Sequence, residues 1–184
     1  MGLDAPRVLP SNIYLIGLMG SGKSTVGRPL AQALQREFID LDTLIEQQTG
    51  QSIREIFARH GENFFRDLES ACLGEIAKYH QRVVALGGGA ILRERNRDLI
   101  KSSGFSIYLK VSPEILMERL GDCSERPLHQ GLDEQANLER LGELLQERQS
   151  FYEQADLIVP NEGSSKEALV HITSALERLC KLSQ

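Results

Sequence analysis

One short glycine-rich segment constrains this chain more than any other. Residues 17–24 read Gly-Leu-Met-Gly-Ser-Gly-Lys-Ser, which fits the pattern G-x-x-x-x-G-K-[ST] of a phosphate-binding loop. The apolar run at residues 13–16 is suited to a buried parallel strand, and residues 25–35 have the composition of a helix. Because the motif requires a strand before it and a helix after it, the segment predicts a nucleoside triphosphate site.

The parts of this loop have separate tasks in holding phosphate. Backbone N–H groups freed by Gly17, Gly20 and Gly22 point inward and form a nest for an anion at a helix N-terminus. The Lys23 side chain adds positive charge for the β- and γ-phosphates, and the Ser24 hydroxyl is placed to ligate Mg²⁺. A glycine-rich turn that binds nothing is the alternative, which the Lys-Ser ending and both flanks disfavour.

Composition limits the range of functions. The chain has 184 residues and a formal net charge of −5, which disfavours binding to nucleic acid or to an acidic membrane. It contains no apolar stretch long enough to span a bilayer, and its N-terminus lacks a signal peptide's apolar core. Three scattered cysteines indicate reduced thiols and a cytoplasmic protein. A plastid stroma fits equally if a transit peptide has been removed.

Predicted strands and helices alternate along the chain. After a loose leader at residues 1–12, we predict a helical segment between successive strands and a last helix at 165–182. The strands are predicted at residues 13–16, 38–42, 82–86, 105–111 and 157–159. This alternation predicts an α/β fold with a central parallel five-stranded sheet and helices on both faces. We find no repeat and no linker, so residues 1–184 are predicted to form one domain.

Two carboxylates follow the second predicted strand, at the sheet edge where ligands bind in such folds. Asp40 and Asp42 are two apart in a segment predicted to be extended, so their side chains leave on the same side. Paired carboxylates facing a phosphate loop suit two tasks, holding the Mg²⁺ shell and accepting a proton from an attacking hydroxyl. A solvated strand end is the alternative. The third strand ends without a metal-binding aspartate, which favours Asp40 for the metal shell.

A triple glycine and two arginines are further candidates. The glycines at residues 87–89 follow the third strand and would let a ligand or metal-bound water lie against bare backbone N–H groups. Arg66, with Glu69 one turn later to orient it, and Arg148 offer the planar fork that binds a carboxylate. The alternatives are a flexible turn for the glycines and ordinary solvated helix charges for the arginines.

The polar segment at about residues 122–135 separates two predicted helices and contains Arg126. A polar segment that carries an arginine near a nucleotide is predicted to form a mobile lid. Its closure would exclude water and bring positive charge to the transferring phosphoryl group. A plain surface loop is the alternative.

In order along the chain, these segments resemble those of the shikimate kinase family, among the nucleoside-monophosphate-kinase-like P-loop kinases. The resemblance runs from about residue 13 to residue 159. It rests on residues 17–28, 38–42, 65–69, 87–90 and 126–128 and on Arg148-x-x-x-Tyr152. It implies a three-layer P-loop fold and transfer of the ATP γ-phosphoryl group to the 3-hydroxyl of shikimate. The products would be ADP and shikimate 3-phosphate, on the route to chorismate and the aromatic amino acids.

The resemblance implies a donor site for ATP and Mg²⁺. Arg119 would stack on adenine, and Arg126 would reach from the lid to the phosphates. Ser24 would ligate Mg²⁺ with Asp40 in its outer shell. The residues that hold ATP would be Gly20, Ser21, Gly22, Lys23, Ser24 and Thr25.

The resemblance also implies an acceptor site. Asp42 would bind the shikimate hydroxyls and assist deprotonation of the attacking one, which makes it catalytic together with Lys23 and Arg126. The residues that hold shikimate would be Asp42, Arg66, Gly87, Gly88, Gly89 and Arg148. We expect a monomer whose partners are ATP, ADP and shikimate.

This chain departs from the family's pattern in three places, of which the minor one is His129 in the lid, where a second leucine is usual. Ala85-Leu86 offers no hydroxyl where relatives often carry one that helps to hold metal-bound water, and residues 160–165 contain no arginine near the expected adenine site. Two alternatives remain open: another small-molecule kinase of this fold, such as a gluconate or nucleotide kinase, and a nucleotide-binding relative without catalysis. Intact Lys23, Asp42, Arg66 and Arg126 disfavour the second.

Overall fold

The computed structural model describes residues 10–120 and 134–182. Five strands form one sheet in the order β2-β3-β1-β4-β5, and each neighbouring pair is parallel. The predicted five-stranded parallel sheet is therefore confirmed. The strands are β1 (Asn12–Ile16), β2 (Glu37–Asp40), β3 (Arg82–Ala85), β4 (Gly104–Lys110) and β5 (Leu157–Pro160).

Helices follow the strands and cover both faces of the sheet. A single 3₁₀ turn, Ala90–Leu92, lies between the triple glycine and the next helix. The helices are α1 (Lys23–Ala33), α2 (Leu41–Thr49), α3 (Ile53–Ala77), α4 (Glu94–Ser103), α5 (Pro113–Leu120), α6 (Glu134–Tyr152) and α7 (Ser165–Leu182). None of the helices in these two ranges combines the length and apolar character that crossing a bilayer requires.

Alternate side chains of the central strand β1 pack into two separate apolar layers. Tyr14 and Ile16 pack into a cluster with residues of α2, α3 and α4, whereas Ile13 and Leu15 pack into a cluster with α1 and α7. The two-residue period of a strand produces this division, since successive side chains leave opposite faces. The result is a three-layer arrangement in which both faces of the sheet are buried.

The long helix α3 begins and bends where its sequence indicates. The Ser52 side chain accepts from the Glu55 N–H while Glu55 accepts from the Ser52 N–H, which forms a capping box. Gly61 has φ 81° and ψ 173°, so helical geometry breaks there, in a backbone conformation that favours glycine. The chain then resumes as helix, which carries Arg66 to the edge of the sheet.

The second strand is shorter than predicted. β2 ends at Asp40, whose side chain caps α2 by accepting from the Thr43 N–H at 3.3 Å, and Asp42 lies in the first turn of that helix. The prediction of an extended segment through Asp42 is wrong, because the aspartate at position 40 ends the strand by starting a helix. The two carboxylates still meet at one cleft, for a different geometrical reason.

Two predicted segments at the margins are only partly described. The leader predicted at residues 1–12 overlaps the structure at 10–12, where Asn12 is already a buried residue of β1. Its amide donates to the Tyr79 carbonyl at 2.8 Å, which ties the residue into the sheet. Of the predicted lid, residues 134–135 begin α6, while the rest, including Arg126, lies outside the described residues.

Candidate active site

A cavity of about 1150 Å³ opens at the carboxyl ends of the strands. It brings most of the predicted site residues together, as expected for ligands of a parallel sheet. Ser21 does not line it, since this side chain is buried beneath the loop. The predicted residues that line the cavity are Gly20, Gly22, Lys23, Ser24, Thr25, Asp40, Asp42, Arg66, Gly87, Gly88, Gly89, Arg119 and Arg148.

The phosphate loop ends directly at the start of α1. Gly22, with φ 86° and ψ 18°, occupies the N-cap position in the left-handed region, which a side chain would strain. No side chain caps this helix, so its first N–H groups open toward the cavity. Lys23 Nζ lies back over the loop and donates to the carbonyls of Gly17 at 2.8 Å and Leu18 at 2.9 Å. The loop therefore has the geometry of an anion nest with a cation beside it.

Two oxygen-bearing side chains meet beside the phosphate loop. Ser24 Oγ donates to Asp40 Oδ2 at 2.5 Å, which joins the start of α1 to the end of β2. The residues that the structure describes contain no group of three or more metal-binding side chains. A hydroxyl and one carboxylate nevertheless fit Mg²⁺, which keeps several waters and takes its other ligands from phosphates. Asp40 lies opposite Ala85 in the sheet register, where this chain offers no hydroxyl.

The triple glycine makes room for side chains of the site itself. A β-carbon on Gly87 would stand 2.5 Å from Glu69 Oε1 and 2.9 Å from Asp42 Oδ1, and one on Gly89 would collide with the Arg66 guanidinium. Any larger residue would displace these charged groups. The sequence analysis proposed space for a ligand, and the packing adds a second reason for glycine here.

Arg66 is held from two sides by carboxylates of its own helix. Its Nη1 donates to Glu69 Oε2 at 2.9 Å, and its Nη2 donates to Glu62 Oε1 at 3.1 Å. Glu69 is fully buried, whereas the Glu62 side chain is 56% exposed. The spacings of three and four residues place all three on one face of α3. The two carboxylates thereby orient the guanidinium at the cavity wall. The contact with Glu69 was predicted from the sequence, and the contact with Glu62 was not.

Burial gives Glu69 an unusual protonation behaviour. Loss of hydration raises its pKa from an ordinary 4.5 to about 7, and the negative charge of Asp42 adds to this rise. The positive charge of Arg66 acts in the opposite direction and only partly offsets it. Because the folded chain binds this proton more tightly than the unfolded chain, the protonated form stabilises the fold. This contribution is complete below pH 4.5 and is lost as the pH rises through about 7.

We therefore expect Glu69→Gln to flatten the pH dependence of stability, because glutamine keeps the size and the acceptor but cannot titrate. The melting temperature of the unmodified chain should fall as the pH rises from about 5 to about 7, and that of the variant should fall less. Calorimetric melting at several pH values measures this. Glu62→Gln, which changes the exposed carboxylate on the same arginine, is the matched control. An equally steep fall in Glu69→Gln would contradict the assignment.

Arg148 is a buried cation without a carboxylate partner in the ranges that the structure describes. The residue is 5% exposed, and its Nε has no hydrogen-bond partner among those residues. It lies on α6, four residues before Tyr152, and lines the same cavity as Arg66. Because a buried unpaired charge is costly, this arginine indicates an anionic ligand. The alternative of a solvated helix charge is excluded for Arg148 by its burial.

Three apolar residues complete the acceptor side of the cavity. Ile53, Phe57 and Phe65 line it, and the rings of Phe57 and Phe65 lie 4.8 Å apart. Their sequence pattern does not mark them as pocket residues, because apolar residues at helical spacing indicate a core as readily as a pocket. A pocket with an apolar wall and a few convergent charges is typical of a small-molecule site.

The opposite end of the cavity is bounded by the segment after β5. Asn161, which the sequence analysis missed, donates from Nδ2 to the Ser21 carbonyl at 2.8 Å and so supports the phosphate loop from below. Arg119 donates to the Gly163 carbonyl at 3.1 Å across the cavity mouth. No local sequence signal marks Asn161, because its partner lies 140 residues away.

Comparison with known proteins places these features in context. The family model for shikimate kinase matches residues 19–177 of the chain. A shikimate kinase of Synechococcus sp. (strain JA-3-3Ab) is 43% identical over 176 residues, which cover 94% of this chain and 91% of the relative. A shikimate kinase of Thermosynechococcus vestitus is 48% identical over 151 residues, which cover 82% of this chain and 80% of the relative.

Solved structures give a consistent result. The shikimate kinase of Acinetobacter baumannii, solved in complex with shikimate, superposes with a TM-score of 0.86 at 36% identity and covers 95% of each chain. A gluconokinase from Sinorhizobium meliloti superposes with a TM-score of 0.60 at 22% identity, covering 94% of this chain and 95% of that one. The second likeness shows a shared fold alone.

Proposed function

Because the chain belongs to the shikimate kinase family, we propose that this cavity holds ATP and shikimate side by side for phosphoryl transfer. The chain is an ATP-dependent kinase that transfers the γ-phosphoryl group to the 3-hydroxyl of shikimate and releases shikimate 3-phosphate and ADP. The observation that carries the site assignment is Arg148, a buried cation that faces the cavity without a carboxylate partner among the described residues. A carboxylate-bearing acceptor satisfies that charge.

The donor half is the phosphate loop with its flanking residues. The N–H groups of residues 20–25 hold the phosphates of ATP, and Lys23 moves from the loop carbonyls to the β- and γ-phosphates. Ser24 would ligate Mg²⁺ with Asp40 in its outer shell, and the short bond between the two side chains supports this pairing. When bound, Mg²⁺ neutralises charge on the phosphates. Arg119 contributes to the adenine site. Its position in the lining of the cavity supports this role.

The acceptor half is built by the carboxylate clamp, defined here as Arg66 and Arg148. The clamp holds the shikimate carboxylate, while residues 87–89 and the apolar wall enclose the ring. Asp42, at the start of α2 and against Gly87, accepts the proton from the attacking hydroxyl. Arg126 lies outside the described residues, so its reach from a lid to the phosphates stays a prediction.

The setting of this reaction is also part of the proposal. Cys72 and Cys180 form no disulfide among the described residues, which agrees with a cytoplasmic protein that keeps its cysteines reduced. The net charge of −5 supports a protein that does not bind nucleic acid. We further propose that the enzyme acts as a monomer, since both halves of the cavity come from one chain.

An ATP-coupled assay with shikimate, gluconate and nucleoside monophosphates tests the choice of acceptor. We expect turnover with shikimate alone, because the chain belongs to the shikimate kinase family over most of its length. Gluconate is the sharpest comparison, since it is also an anion and a gluconokinase shares the fold. Preferred turnover of gluconate or of a nucleoside monophosphate would overturn the proposal.

The carboxylate clamp itself predicts a large change in acceptor affinity. Truncating one partner of a desolvated charge pair costs roughly 2–5 kcal/mol. Arg66→Ala or Arg148→Ala should therefore weaken shikimate binding on the order of 30-fold or more, with ATP affinity almost unchanged. Lysine should restore little, because an ammonium cannot reproduce the two-pronged fork. Titration calorimetry with each substrate measures both affinities.

Arg140→Ala is the matched control for this pair. Arg140 lies on the same helix as Arg148, its side chain is 37% exposed, and it pairs with Glu143 away from the cavity. The control should bind shikimate like the unmodified chain. Unchanged shikimate affinity in both clamp variants would refute the clamp, and with it this account of the choice of acceptor.

A further inference from the structure

The triple glycine is fixed by bonds to its three carbonyl groups. The Gly87 carbonyl accepts from the Ala90 N–H at 3.0 Å, and the Gly89 carbonyl accepts from the Leu92 N–H at 3.1 Å. Both bonds are local backbone bonds of the turn. The Gly88 carbonyl instead accepts from the hydroxyl of Tyr152 at 2.6 Å. Since glycines have no side chains with which to anchor themselves, the middle peptide depends on this distant hydroxyl.

Packing holds the Tyr152 ring in a single position. The side chain is fully buried at the end of α6 and stacks on Tyr108, with ring centroids 4.9 Å apart and an interplanar angle of 16°. Tyr108 lies opposite Ile16, the residue that precedes the phosphate loop. Burial raises the pKa of Tyr152 above its ordinary value, and the charge of Arg148 and its hydrogen bond to this side chain only partly oppose the rise, so the hydroxyl remains a donor.

Gly88 lies where the two halves of the cavity meet. A β-carbon at this residue would stand 3.5 Å from the Met19 N–H nitrogen, 3.6 Å from Arg148 Nη1 and 3.6 Å from the Gly17 carbonyl oxygen. These are ordinary contact distances, so the phosphate loop and Arg148 both lie close to the Gly88 peptide. A small rotation of this peptide would change the spacing between them.

We propose that Tyr152 is a positioning residue that fixes the Gly88 peptide between the phosphate loop and Arg148. The proposal rests on the proposed function, because its consequence is the alignment of the shikimate hydroxyl with the phosphoryl group. Tyr152 does not touch the reacting atoms. It acts through the peptide that it holds, and even a small misplacement of an acceptor lowers the rate strongly.

Tyr152→Phe removes the hydroxyl and keeps the ring. We expect kcat/KM for shikimate to fall on the order of 10-fold, through a higher KM and a lower kcat together. The dissociation constant of ATP should change by less than about twofold, because no hydrogen bond from Tyr152 reaches the nest of the phosphate loop. Steady-state rates with shikimate and calorimetric titration with ATP measure the two effects.

Tyr108→Phe is the matched control, since this tyrosine is equally buried, stacks on the same ring and does not bind Gly88. Its kcat/KM should stay within about twofold of the unmodified chain. The stoichiometry of ATP binding counts folded molecules, so rates per ATP site remain comparable even if a variant is partly unfolded. Equal kcat/KM in Tyr152→Phe and Tyr108→Phe would overturn the proposal. So would a loss of ATP affinity in Tyr152→Phe as large as its loss of kcat/KM for shikimate. Failure of the unmodified chain to phosphorylate shikimate would instead overturn the proposed function.

Discussion

Lys23→Ala is expected to lower kcat by on the order of 10³-fold or more, the largest effect that we predict for any single substitution. Negative charge shifts toward the oxygen between the β- and γ-phosphates as the phosphoryl group transfers. The ammonium of Lys23 is the positive charge that the phosphate loop supplies to offset it. In the structure this ammonium lies within 2.9 Å of two loop carbonyls, so it is already held at the nest. Alanine removes that charge from the half-buried position beside the phosphates, where it stabilises the charge that develops during transfer.

Steady-state kinetics at saturating ATP and shikimate measure this loss. Lys78→Ala is a suitable control, because Lys78 is an exposed lysine that pairs with Glu75 at the surface. Circular dichroism should show that both variants remain folded. Near-normal turnover by a folded Lys23→Ala protein would reject the assignment of residues 17–24 as a working phosphate loop.

The second largest effect is expected from Asp42→Asn, which should lower kcat on the order of 10²-fold while ATP still binds. Asparagine keeps the size of the side chain and its place in the first turn of α2, but it cannot take up the proton of the attacking hydroxyl. Asp42 is assigned to the attacking hydroxyl and not to Mg²⁺, since it lies against Gly87 in the acceptor half of the cavity. The loss should therefore persist at any Mg²⁺ concentration.

Asp40→Asn is the natural comparison, since it lies two residues away and changes the same group. Its carboxylate accepts from Ser24, so we expect its loss to act mainly through Mg²⁺ and to be partly restored when Mg²⁺ is raised. Rates of both variants across a Mg²⁺ titration separate the two roles. Rescue of Asp42→Asn without rescue of Asp40→Asn would mean that our assignment is reversed.

Neither of these predictions needed more than local sequence for its starting point. The phosphate loop and the strand before it are contiguous in sequence. The backbone conformations that require glycine and the two-residue period of a strand can both be recognised from a few consecutive residues. The same holds for the capping box at Ser52 and the break at Gly61. The parallel sheet followed from the alternation of strands and helices, which permits few other topologies.

The prediction that the carboxylates of Asp40 and Asp42 lie together is correct, but the geometry predicted for them is wrong. Asp40 and Asp42 were predicted to share a side of an extended strand, whereas Asp40 caps a helix in which Asp42 occupies the first turn. An aspartate after a strand is compatible with both geometries. The choice between them depends on the Thr43 N–H and on the packing of α2 against α3, which periodicity in so short a segment does not report.

The sequence by itself determined the parallel α/β sheet, the phosphate loop and the candidate carboxylates and arginines, because each is encoded by residue type and spacing within one element. Only the tertiary structure decided which of these charges are buried and what surrounds them. The bond from Tyr152 to Gly88 joins residues 64 apart, and the fit of Gly87 against Glu69 and Asp42 joins three elements. Such contacts depend on how whole helices pack on the sheet, and packing is a property of the folded chain rather than of any window of its sequence.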